Sequence, residues 1–181
     1  VLEHDILSDR LVAENPADRC YHCKAALFGL LKEQAVKDGY TLLLDGTNAS
    51  DDALDRPGMR ALRELEVRSP LRECGLTKTE IRRLSKEAGL FTWDKPAYAC
   101  LATRIPTGTL LTAEGLKRVE QAEQALFEMG FRDFRVRVFH DAARLQVRAA
   151  DFLRAAEERD EIRNRLAPWF GTVLLDMKGR D

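Results

Sequence analysis

Two of the chain's four cysteines, Cys20 and Cys23, stand three positions apart in the stretch ENPADRCYHCKAALF. A CxxC pair can exchange as a dithiol, supply half of a zinc site, or anchor iron–sulfur. Cys100, about eighty residues on in KPAYACLATRIPTG, brings the thiolate count to three. Iron–sulfur clusters usually take four protein thiolates, so three leave one iron open. Catalytic zinc keeps an open position by the same logic. Zinc is the second option, with His22 or His140 as fourth ligand, and Cys100 as a small buried apolar residue is the third. Cys74, before a glycine, reads as structural. No secretory signal opens the chain, so a disulfide framework is not expected.

Two further groups have chemistry in them. In LLLDGTNASDD, Asp45 ends an apolar run, Gly46 lets a backbone approach a ligand, and Thr47 and Asn48 supply polar groups. Asp51 and Asp52 are candidates for Mg²⁺. The competing reading is an Asx-rich turn. Arg104, Glu123, Arg135, Arg137 and Arg144 form the other group. Arginines oriented by an acid make a phosphate clamp, while charges on a solvated face make nothing. Arg135 and Arg137 share a strand face by the period of two.

The elements that must position these groups follow from spacing. Residues 16–38 read as a helix with Asn15 as N-cap, Pro16 at its first position and Gly39 as its stop. Thr41–Leu44 reads as a buried parallel strand, and Val67–Leu71 as a second strand. Val1–Leu2 is strand-like. RPGMRALRELEV gives a turn and a short helix. TKTEIRRLSKEAGL is a helix with a capping box from Thr77 to Glu80. The loop around Cys100 is long and mixed enough to be functional. After Gly108 the rhythm changes to an amphipathic helix, Thr112 to Met129, then an alternating hairpin, a charged helix and a last strand. Residues 1–108 therefore read as an α/β part with a parallel sheet, and residues 109–181 as a small α+β unit. With 181 residues, 45% apolar, and Lys+Arg 29 against Asp+Glu 30, the composition is that of a globular protein. The balance gives no support for binding nucleic acid or a membrane surface. The opening VLEHDILSDR lacks Met, and a missing upstream portion is expected.

NPADRCYHCK, LLLDGTN, RPGMRAL, VRSPL, WDKPAYACLATRIPTG and FRVRV occur here in an order that resembles the LarE family over nearly the whole chain. These are ATP-dependent sulfur transferases of nickel-pincer-nucleotide biosynthesis, within the PP-loop ATP pyrophosphatases (adenine nucleotide alpha hydrolase-like). The resemblance implies adenylation of pyridinium-3,5-biscarboxylic acid mononucleotide by ATP and Mg²⁺, then displacement of AMP by sulfur, for the cofactor of lactate racemase. It implies one of two sulfur sources: Cys100 sacrificed to dehydroalanine, or a 4Fe-4S cluster on Cys20, Cys23 and Cys100 carrying an extra sulfide. The three-cysteine set favours the cluster. Arg104, Glu123 and Arg135 match the family's substrate-phosphate site, and Asp45, Gly46, Thr47 and Asn48 its nucleotide-binding edge. A cytoplasmic homo-oligomer acting with other nickel-pincer biosynthesis proteins is implied as well. The SGGxDS pyrophosphate loop belongs upstream of Val1, and the family's Gly-Tyr-Arg segment beyond DMKGRD. The alternatives are a PP-loop tRNA thiolation enzyme and a metal-binding module without ATPase activity.

Overall fold

The computed structural model describes residues 1–51 and 57–180. The chain divides into two compact units, Val1–Lys95 and Pro96–Asp181, so the loop carrying Cys100 goes with the C-terminal unit. The class is mixed α/β, with eight helices and a three-stranded sheet among the described residues. No helix among them is long and apolar enough to cross a membrane.

The N-terminal unit is mostly helical. Where a strand was expected at Val1–Leu2, the chain is irregular, and α1 (Arg10–Ala13) follows. The long helix α2 runs Arg19–Lys37 rather than from Pro16. Asn15 takes φ +54°, so the backbone reverses there and the helix begins one turn later, after Asp18. Gly39 ends it as expected. At φ +81° its N–H reaches Val36 O and the Tyr40 N–H reaches Ala35 O, the double closure that glycine permits. α3 (Pro57–Glu64) packs against α2 and buries Met59 and Leu62 with Val67, Phe28 and Leu43. α4 is Pro70–Glu73. α5 (Lys78–Glu87) carries the expected capping box, with Thr77 N–H donating to Glu80 and Glu80 N–H to Thr77 Oγ1.

Neither expected strand of this unit forms as such. Thr41–Leu44 and Val67–Leu71 meet only in a single parallel bridge between Leu44 and Arg68. Leu43 packs inward while Leu42 and Leu44 are exposed, so the apolar run is one-sided rather than buried on both faces. Pro70 and Leu71 belong to α4, because Pro70 occupies its first position and has no N–H to give a ladder.

In the C-terminal unit α6 (Ala113–Glu128) starts at Thr112, whose hydroxyl accepts the Gly115 N–H. β1 (Arg135–Phe139) and β2 (Ala142–Gln146) form the expected hairpin, turning at His140 with φ +51°. The charged helix is two, α7 (Phe152–Glu157) and α8 (Arg159–Leu166). β3 (Thr172–Leu175) returns parallel to β2, giving the order β1-β2-β3. Val119, Ala122 and Leu126 of α6, Ile162 and Leu166 of α8, and Val136 and Leu145 of the sheet form one core with Phe131, Phe134 and Phe170. Burial of this apolar area is what fixes α6 beneath β1.

Candidate functional site

Cys20 and Cys23 lie one turn apart at the start of α2, Cys20 exposed and Cys23 half-buried, neither in a disulfide. The Arg19 guanidinium sits 3.6 Å from the Cys20 sulfur. α3 braces this turn. Tyr21 donates its hydroxyl to Glu64 at 2.7 Å, and Arg60 stacks 3.7 Å over its ring. Gly58 lies so close that a Cβ there would stand 3.0 Å from Lys24 Cδ and 3.4 Å from the Cys20 carbonyl oxygen. His22, the candidate fourth zinc ligand, pairs with Asp18 at 3.3 Å, and His140 belongs to the other unit. Cys74 caps the end of α4 and is exposed rather than packed.

The DGTN segment folds as an Asx turn built on its own carboxylates. Asp45 accepts the Thr47 N–H at 3.2 Å, the Thr47 hydroxyl, and the Ser69 hydroxyl at 2.6 Å. Partial burial pushes the Asp45 carboxyl up, but hydrogen bonds from Ser69 and Thr47 and the charge of Lys24 outweigh it and hold the group below its ordinary range. Asn48 caps the Ser50 N–H, and Asp51 accepts the Asn48 N–H. A Cβ at Gly46 would meet nothing, so the backbone there is open to approach. Asp52 lies outside the described residues. Within either unit, no three His, Cys, Asp or Glu side chains among the described residues are grouped to hold a metal ion.

The arginine group is assembled, but around the loop of Cys100. Cys100 heads a short 3-10 turn, Leu101–Arg104, with its side chain exposed. Arg104 and Glu123 form a bidentate ion pair, Nε–Oε1 2.8 Å and Nη2–Oε2 3.1 Å, and neither side chain reaches solvent. Glu123 also accepts the Val136 N–H at 2.9 Å, which ties α6 to β1. The remaining Arg104 nitrogen donates to Ala99 O, Cys100 O and the Thr103 hydroxyl. Arg135, also buried, donates to Phe134 O at 2.6 Å and Ala97 O at 2.8 Å. Burial and the neighbouring Arg104 and Arg180 charges lower its pKa. Tyr98 lies against the Arg104–Glu123 pair, and burial, with hydrogen bonding to Glu123, pushes its phenol up to about 12.

Beside this turn is a cavity of about 510 Å³ whose walls carry Arg104, Arg137, Arg144 and His140. Arg137 donates to Gln146 and to Thr103 O, and pairs across the hairpin with Arg144. Arg144 is held 3.3 Å from Asp176. Of the arginines expected to take a phosphate, Arg104 and Arg135 are buried, while Arg137 and Arg144 are partly exposed and, with Arg104, border a space an anion could enter. Ser69, Tyr98 and Lys24 were not foreseen from the sequence. Only Ser69, standing before Pro70 at a helix start, carried a local signal.

No family model matches the chain. Three curated relatives do. An uncharacterized protein of Synechocystis is 42% identical over 133 residues, 74% of this chain and 50% of that protein. The pyridinium-3,5-bisthiocarboxylic acid mononucleotide synthase of Lactiplantibacillus plantarum is 37% identical over 179 residues, 97% of this chain and 64% of the synthase. An uncharacterized protein of Methanocaldococcus jannaschii is 31% identical over 168 residues, 92% of this chain and 66% of that protein. The chain thus spans between half and two thirds of the length of these relatives. Near-complete alignment of this chain with the synthase, through the cysteine and arginine segments alike, places it in a family: the chain belongs to the LarE family.

Proposed function

We propose that this chain is part of an ATP-dependent sulfurtransferase acting on pyridinium-3,5-biscarboxylic acid mononucleotide, working from a PP-loop ATP pyrophosphatase domain. The observation that carries this is the alignment of 97% of the chain with the Lactiplantibacillus synthase. The exposed thiol of Cys100 beside a cationic cavity supports it. A carboxylate is a poor electrophile. Attack of its oxygen on the α-phosphorus of ATP releases pyrophosphate and leaves an acyl-adenylate, from which AMP departs readily when sulfur attacks. Arg137 and Arg144, which line the cavity, would grip the mononucleotide phosphate, and a guanidinium does so in a bidentate fashion. Asp45 to Asn48 form the proposed edge for ATP and its Mg²⁺, with Gly46 leaving room for the nucleotide.

The sulfur reading rests on the donor set. Thiolates suit iron, and Cys20 and Cys23 present two cysteines outside any disulfide from one helical turn, with Cys100 as the third. These three residues would hold a 4Fe-4S cluster, which when bound supplies sulfide at its open iron. The Arg19 guanidinium lies 3.6 Å from the Cys20 sulfur. In the sacrificial alternative the Cys100 Sγ attacks the acyl carbon and AMP leaves; a base then takes the Cys100 Cα proton, its electron pair forms the Cα=Cβ bond as the Cβ–Sγ bond breaks, and thiocarboxylate departs from dehydroalanine. The product would feed the nickel-pincer cofactor of lactate racemase, in the cytoplasm, from a homo-oligomer working with other proteins of that pathway. Mass analysis of Cys100 after turnover by the full-length protein decides the source. An intact Cys100 with more than one product per chain supports the cluster, and dehydroalanine at Cys100 supports sacrifice.

A further inference from the structure

The loop from Pro96 to Pro106 has no sheet partner, and its carbonyls need donors from elsewhere. Arginines supply them: Arg135 at Ala97 O, 2.8 Å; Arg104 at Ala99 O, 3.1 Å, and Cys100 O, 3.3 Å; Arg137 at Thr103 O, 2.9 Å. Thr103 completes the clasp, its N–H and hydroxyl both donating to Cys100 O at 3.0 and 2.7 Å. Arg104 is itself fixed by a fully buried carboxylate that also holds the β1 backbone. We infer that Arg104, oriented by Glu123, is a positioning residue for Cys100. It sets the backbone from which the Cys100 thiol projects, and does not itself grip the substrate phosphate. A planar guanidinium does this where an ammonium cannot, because it meets both carboxylate oxygens and still has a nitrogen left for two carbonyls.

The functional meaning of this inference rests on Cys100 being the sulfur-transfer cysteine, but its test does not. Deuterium exchange of the protein, without ATP or substrate, is followed by mass spectrometry in two variants. Arg104→Lys keeps the charge against Glu123 and loses the fork. The pair Arg104→Met with Glu123→Gln leaves no unpaired charge in the core. Loss of charge-assisted hydrogen bonds predicts exchange of the amides of residues 99–104 at least about tenfold faster in both variants. Amides of β2 and β3 should keep their wild-type rates; Val136 of β1, whose N–H donates to Glu123, is left out of the comparison. Unchanged exchange at residues 99–104 overturns the inference. So does acceleration shared equally by β2 and β3, which is what a merely structural ion pair would give. A protein that fails to transfer sulfur at all still reports this loop, so the two failures are told apart.

Discussion

Glu123 on α6 meets Arg104 in a two-point ion pair that solvent does not touch, and the same carboxylate holds the Val136 N–H. Removing one partner strands the other charge in the core. Arg104→Met alone is therefore expected to cost about 3–5 kcal/mol of stability, and the double replacement with Glu123→Gln clearly less. Chemical denaturation of the two single variants and the double checks this as a coupling cycle. Equal and additive losses would mean that the pair is not the unit of stabilisation.

Asp45 gives the N-terminal unit an acid sensitivity. Its carboxyl is held below the ordinary range in the folded state, so it stabilises above the unfolded value near 4 and the contribution disappears as pH falls through the folded value. Asp45→Asn is expected to flatten the decline in melting temperature below about pH 4. Parallel curves for the two proteins would assign the acid response to another group.

Arg137 and Arg144 are expected to carry phosphate affinity. Replacing either with Ala should weaken binding of the dicarboxylate mononucleotide about tenfold or more, as for loss of a charge-assisted hydrogen bond. Calorimetric titration of wild type and variants reads this directly. Arg118→Ala, whose guanidinium lies over Phe170 in the core, is the control and should bind as wild type.

The cysteines divide by the same account. Anaerobic reconstitution with iron and sulfide should give a brown protein, with the colour lost in Cys20→Ala, Cys23→Ala and Cys100→Ala and kept in Cys74→Ala. Bound zinc and no iron in the wild type and in Cys74→Ala would contradict the cluster.

How much of this was legible before any coordinates differs from residue to residue. The capping box from Thr77 to Glu80 and the stop at Gly39 were readable because both are local chemistry. Glu123 was readable as buried in principle, since it falls four positions after Val119 on the face that also carries Ala122 and Leu126. The one-sided burial of Thr41–Leu44, where a strand buried on both faces was expected, was not, because three leucines in a row look alike whether one face or two is covered. The partners of Arg104 and Arg135 were least legible. Sequence shows a donor, but the acceptors are main-chain carbonyls of a proline-bounded loop, and every residue carries one of those.

Sulfur transfer itself is the most direct test. The full-length protein is incubated anaerobically with ATP, Mg²⁺ and pyridinium-3,5-biscarboxylic acid mononucleotide, and the small molecules are resolved by mass spectrometry. The account predicts AMP, pyrophosphate and a mononucleotide in which carboxylate oxygen has been replaced by sulfur; Cys100→Ala loses the sulfur-containing product, while the acyl-adenylate and its pyrophosphate still form. An unchanged mononucleotide from a protein that instead thiolates tRNA under the same conditions would contradict it.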